Sequence, residues 1–151
     1  LLNHNRVINF LIPSVAASIL FSYVLNLGIM KPLLKFQSQS NAAAFIKENN
    51  YESLDLYLYN ENEKAKSRSF NFYLDKNIKF INSDYLQDES NPRPQLVFTN
   101  ENGLKELKNN KNNFNIIEVF NHVRVSKLTP SFINPKTRHK VLKKKYLLRF
   151  I

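Results

Sequence analysis

Two acidic pairs, Glu61 with Glu63 and Asp88 with Glu89, are the nearest this chain comes to a carboxylate couple. Acid–base catalysis by two carboxylates needs a fixed separation across a cleft and a shifted pKa on at least one of them. Both pairs stand in hydrophilic stretches, "NENEK" and "QDESN", which predicts solvated loop charges. Ser67 and Ser69 in "KSRSF" lack the flanking glycines of a nucleophile elbow and read better as helix-start residues. His4, His122 and His139 are too scattered to match a metal-ligand spacing, and His122 reads as a solvated turn residue. The absence of Cys removes thiolate ligands, a Cys nucleophile and a disulfide framework. The only glycines, Gly28 and Gly103, are too few for a glycine-rich phosphate loop.

Charge offers a different chemistry. The formal net charge is +10, and from Lys127 to the end there are Lys and Arg residues but no Asp or Glu. In "KTRHKVLKKKYLLRF" the cations are interleaved with Tyr146 and Phe150. Such a segment can neutralise nucleic-acid phosphates, lie on anionic lipid, or be a solvated terminal strand or helix. The character of the chain's beginning favours lipid over nucleic acid.

That beginning, "VINFLIPSVAASILFSYVLNLGIM" (Val7 to Met30), holds no charged residue. A bilayer core is ~30 Å thick and a helix rises ~1.5 Å per residue, so about 20 apolar residues suffice to cross it. A cleavable signal is disfavoured because the apolar stretch is too long and no clean small-x-small site follows; a buried helix of a soluble domain is the other alternative. Asn9, Ser14, Ser18, Ser22 and Asn26 recur about every fourth residue, which draws a polar stripe down one helical face. In lipid such a stripe packs against other helices. The expectation is a membrane helix with neighbours that lie outside this sequence, and hence a C-terminal piece of a longer membrane protein.

The rest reads as alternating elements. "SNAAAFIKENN" predicts a helix capped by Ser40; "ESLDLYLYN" alternates as a strand; "ENEKAKSRSFNFYLDKN" predicts a second helix. "IKFIN" is a short strand, and a helical turn follows at Asp84 to Gln87. "QLVFTN" has the continuous apolar centre of a strand buried on both faces, "ENGLKELKNN" is a short helix, and "FNIIEVFNHVRVSKL" is one or two strands with a turn near Asn121-His122. The expected fold class is α/β: one transmembrane helix followed by a small α/β sandwich with a mainly parallel sheet of about four to five strands. The expected divisions are 1–36 for helix and link, 37–128 for the soluble domain and 129–151 for a basic tail. Candidate membrane-surface contacts are Arg6, Lys31, Lys35, Lys143, Lys144 and Lys145.

The succession of a last membrane helix, "PLLKFQSQSNAAAFIKENN", "LYLYN", "RSFNFYLDKNIKFI", "QLVFTNENGLKEL" and "NIIEVFNHVRVSKLT" resembles the C-terminal region of bacterial polytopic (GT-C type) glycosyltransferases. That group includes protein O-mannosyltransferase-like enzymes and the lipid A aminoarabinose transferases. Within "SFNFYLDK", Asp75 stands where the family usually has Gly and Lys76 where it usually has Arg. The resemblance implies a parent enzyme of the inner membrane that moves a sugar from a polyprenyl-phosphate donor to a protein or lipid acceptor. It implies that this part is a non-catalytic periplasmic domain whose partners are the bilayer and the parent's other helices, with no nucleic acid. No position matches the family's catalytic carboxylate, so no catalytic residue is carried over. No cofactor is expected in this fragment, and a divalent-metal requirement of the parent is left open. The alternative is a membrane-anchored extracytoplasmic binding or interaction domain without catalysis.

Overall fold

The computed structural model describes residues 4–60, 63–124 and 129–151. The chain divides into two compact units between Lys35 and Phe36.

The first unit is helical. Helix α1 (His4–Val24) runs into a π-helical stretch, Leu25–Met30, and then α2 (Lys31–Leu34). Val7–Gly28 has a mean hydropathy of 1.9 over its best window, and it is long and apolar enough to cross a membrane. Its large side chains are exposed, Phe10 to 81% and Leu11, Ile12, Ile19, Leu20 and Phe21 to more than half. A core helix of a soluble domain buries such residues; here none of the apolar window is buried. Part of the polar stripe satisfies itself. The Ser14 hydroxyl donates to the Phe10 carbonyl at 2.7 Å, and Ser18 to the Ser14 carbonyl at 2.9 Å. Back-bonding of this kind hides a hydroxyl from hydrocarbon without a partner helix. Pro13 lies inside α1 and withholds one backbone donor from its ladder.

The second unit is a mixed α/β domain. Its order is α3 (Ser38–Glu48), β1 (Leu56–Tyr59), α4 (Glu63–Leu74), β2 (Lys79–Ile81), α5 (Ser83–Gln87), β3 (Leu96–Asn100), α6 (Glu101–Asn109), β4 (Phe114–His122), α7 (Pro130–Ile133), a 3₁₀ turn at Arg138–Lys140, and β5 (Lys143–Phe150). The strands form one sheet in the order β2-β1-β3-β5-β4. β1 is parallel to β2 and β3; β5 is antiparallel to both β3 and β4. The α/β class matches expectation, and the strand count falls within the expected four to five. The sheet is not mainly parallel as expected but mixed, because the basic C-terminal segment joins it as β5, antiparallel to both of its neighbours.

Residues 129–151 were expected as a tail, but β5 lies in the interior of the sheet, with Leu147 and Leu148 fully buried. Three consecutive apolar residues, Tyr146 to Leu148, supply the inward-facing surface on both sides of the pleat, and that outweighs the neighbouring charge.

Alternation along the strands builds two cores. Leu56, Leu58, Leu96, Phe98 and Leu147 face α3 and α4, meeting Ala42, Ala43, Ile46 and Phe70. The Phe70 and Phe98 rings meet edge to face at 5.0 Å. Tyr57, Tyr59, Val97 and Leu148 face the other way, onto Leu104 and Leu107 of α6. Each buried aliphatic or aromatic side chain contributes about 1.5–3 kcal/mol, so each face carries its own stabilising layer.

Candidate functional site

The helix after β1 and the helix after β3 cover opposite faces of the sheet. At such a divergence the strand ends part, and open α/β sheets take ligands in the crevice. Here Tyr59 ends β1 with Asn60 just beyond it, and Thr99 and Asn100 end β3. Their own groups fill the gap. The Thr99 hydroxyl donates to the Tyr59 carbonyl at 2.9 Å, and the Asn100 amide donates to the Asn60 carbonyl at 2.7 Å. Asn60, held at a φ of 50°, donates through Nδ2 to Glu106 Oε2 at 3.0 Å. Asn100 caps α6 by accepting from the Gly103 amide at 2.9 Å. Gly103 permits this close approach: a β-carbon there would stand 2.1 Å from Thr99 Oγ1 and 3.0 Å from Tyr59 Cδ1. The crevice is therefore laced shut.

Two phenols stand beneath it. The Tyr59 hydroxyl is buried and no hydrogen bond reaches it among the described residues. Burial first, and then the nearby Glu106 carboxylate, raises its pKa far above the ordinary value. Tyr57 is pushed up to about 12, by burial first and then by Tyr85 and Asp55. Both shifts favour the neutral phenol over the tyrosinate. Sequence reasoning passed over this cluster; its trace is the Asn that directly follows each of "LYLY" and "VFT".

The acidic and histidine candidates are dispersed. Glu61 lies outside the described residues; Glu63 opens α4, while Asp88 and Glu89 lie in the exposed turn after α5. The Asp88 carboxylate accepts from the Ser90 hydroxyl and amide, which lowers its pKa. Among the described residues no group of three His, Asp or Glu could hold a metal ion. Ser67 and Ser69 lie inside α4 and do not start it. Ser40 likewise lies within α3, its hydroxyl donating back to the Gln37 carbonyl at 3.0 Å. His122 is no turn residue: it ends β4, and its Nδ1 lies 2.9 Å from the hydroxyl of fully buried Ser38. That pair, with a 3.1 Å bond from the Val123 amide to the Phe36 carbonyl, fastens the start of the domain to the end of β4.

The predicted surface cations fare differently. Lys31 and Lys35 are exposed in the first unit, and Lys143 and Lys144 are exposed at the start of β5. Lys145 is only 5% exposed, opposite Phe120 of β4, so it cannot be a membrane-surface contact. It shares the sheet face of buried Leu147, two residues on. Arg6 lies within α1, and its side chain is outside the described residues.

Two features lie away from the crevice. Asp75 has a φ of 51°, and the Lys76 ammonium donates to the Glu52 carbonyl and, at 3.4 Å, to the Leu54 carbonyl. Beside it lies a water-sized hollow lined by Ile46, Leu54, Leu56 and Leu74. Arg138, which sequence reasoning did not single out, lies over two rings, with its guanidinium carbon 5.5 Å from the Phe36 centroid and 5.1 Å from that of Phe132. Its nitrogens donate to the Phe132 carbonyl at 2.8 Å and the Ile133 carbonyl at 3.2 Å.

No known protein family, curated protein or solved structure matches this chain.

Proposed function

We propose that this chain is the C-terminal, extracytoplasmic part of an inner-membrane glycosyltransferase that transfers a sugar from a polyprenyl-phosphate donor to a protein or lipid acceptor. In this reading the part described here is non-catalytic: α1 packs among the parent's membrane helices, and the α/β domain stands on the periplasmic side beside the embedded site. The carrying observation is the direct joining of an exposed apolar helix to a small domain whose strand-end crevice is closed by its own hydrogen bonds. Position 75 lends support. The resembling family usually has Gly there, and the backbone takes the left-handed conformation that Gly favours. The neighbouring Lys76 does what an Arg could do at the same place, bonding two backbone carbonyls at the entrance to β1.

A second reading, a membrane-anchored binding domain, draws on one feature. Phe72 is 80% exposed and stands edge-on to half-exposed Tyr73 at 5.2 Å, an aromatic pair on the outer face of α4. The coding sequence upstream of Leu1 separates the two. Ten or so further apolar spans support the transferase. An anchored domain with no further span would overturn it. A second test is enzymatic: the transferase reading expects the chain reconstituted alone to fold without moving sugar from a polyprenyl-phosphate donor, and measurable turnover by the chain alone would refute the non-catalytic role.

A further inference from the structure

At the end of the sheet where the chain enters the second unit, the β4–β5 side gathers cations, while Glu101 and Glu106 of α6 lie on the β1–β3 side. Phe36 opens the unit and is clamped there by Arg138, by the Phe132 ring edge-on at 5.4 Å, and by the Val123 amide. Around this clamp stand Arg124, just past the end of β4, Lys136 and Lys140 on the α7–3₁₀ segment, and Lys143 and Lys144 opening β5; all five are exposed. Across the ladder with β4, Lys143 faces His122 and Lys144 faces Asn121; on the β3 side the pairing ends at Asn100 and Lys145, with Glu101 the next residue. Ile133, 55% exposed, projects from α7 in the same segment.

Chain length limits how far Phe36 can stand from the end of the apolar window. Phe36 follows Gly28, the end of the apolar window, by eight positions, much of it helical. At ~1.5 Å per helical residue that is a reach of about 12 Å, the depth of the headgroup zone and its edge. An exposed aliphatic side chain among exposed cations, within that reach of a bilayer, has the chemistry that an anionic membrane surface takes: the cations meet headgroup phosphates and the aliphatic side chain enters the interface. We propose that the α7–3₁₀ segment with the start of β5 docks on anionic phospholipid, with Ile133 as its inserted residue. This rests on the reading that α1 spans a bilayer, and it adds a second, electrostatic contact that fixes the domain against the membrane.

The absence of Cys allows single labels. A nitroxide on Ser18→Cys or on Ile133→Cys is placed in the full chain, reconstituted in vesicles of phosphatidylcholine alone or with a minority of phosphatidylglycerol. Accessibility to oxygen and to a water-soluble nickel chelate is then read. The expected result is a Ser18 label in hydrocarbon in both vesicles, and an Ile133 label shielded from the chelate only with phosphatidylglycerol. Each Lys→Gln change at Lys136, Lys140, Lys143 or Lys144 should weaken that preference by up to about fivefold, high salt should erase it, and Lys→Arg should keep it. A lipid-buried Ser18 label with an Ile133 label equally aqueous in both vesicles overturns the docking and leaves the anchor standing. A Ser18 label in water overturns the anchor and the docking with it. Salt-steep capture of duplex DNA through the same lysines, without preference for phosphatidylglycerol, assigns the patch to nucleic acid and overturns the proposal.

Discussion

The Thr99 hydroxyl donates a 2.9 Å hydrogen bond to the Tyr59 carbonyl, tying the end of β3 to the end of β1 where the following helices part to opposite faces. The bond shuts a crevice that this topology otherwise leaves open, and Gly103 makes it possible by keeping the first turn of α6 against Thr99. Gly103→Ala puts a methyl group where Thr99 Oγ1 stands, which should cost about 1–3 kcal/mol despite the better helix propensity of Ala. Thr99→Val, which keeps the shape and loses the donor, should cost about 1 kcal/mol. Urea unfolding of the detergent-solubilised chain measures both, and a neutral or stabilising Gly103→Ala would show that the crevice is looser than described.

Ser38 and His122 join the first turn of α3 to the last residue of β4 at 2.9 Å. Ser38→Ala should lower stability by about 1 kcal/mol, the worth of one part-buried hydrogen bond. Amide exchange should rise chiefly at Val123, whose amide bonds the Phe36 carbonyl beside this pair. Exchange unchanged at Val123 would mean that the two ties are independent.

Tyr57, with a pKa pushed up to about 12 against an ordinary 10.0, makes stability fall in alkali. Between those values the folded chain keeps a proton that the unfolded chain has lost, so stability drops as pH rises. The contribution is whole below pH 10.0 and is lost as pH climbs through about 12. Tyrosinate absorbance should rise in an early phase from exposed phenols and a late phase that coincides with loss of ellipticity. Tyr57→Phe should move part of the late phase away.

Asp75 holds a φ of 51° at an exposed position after α4. Asp tolerates this conformation better than most residues, and Gly tolerates it freely. Asp75→Gly should therefore leave stability unchanged or raise it by up to about 1 kcal/mol, whereas Asp75→Val should lower it by about 1–3 kcal/mol. Melting curves of the two variants test this, and a destabilising Gly would remove one support for the family resemblance.

Much of the fold was legible because period and composition agree. The alternation of Leu54, Leu56 and Leu58 marks β1, the unbroken "LVF" marks a strand covered on both sides, and "ENGLKELKNN" marks α6. β5 was hidden because "KKK" at its start signals solvent, while the "YLL" that follows is too short to separate strand from helix by period. His122 was misread because Asn-His resembles a turn, whereas pairing with Lys143 carries the strand through it. The crevice was illegible for a different reason. Its members, Tyr59, Thr99 and Gly103, are about 40 residues apart across β1 and β3, and only the strand pairing brings them together. The Arg138 clamp depends likewise on a contact between residues at opposite ends of the second unit.

The account depends most on α1 residing in hydrocarbon. Membranes from cells producing the full chain, stripped with alkaline carbonate, test this directly. The wild-type chain should stay in the pellet, and Val15→Asp with Ile19→Asp should release it, since each charge at a helix centre costs about 2.5–3.5 kcal/mol on insertion. Recovery of the unmodified chain in the carbonate wash, folded and monodisperse without detergent, would contradict the account.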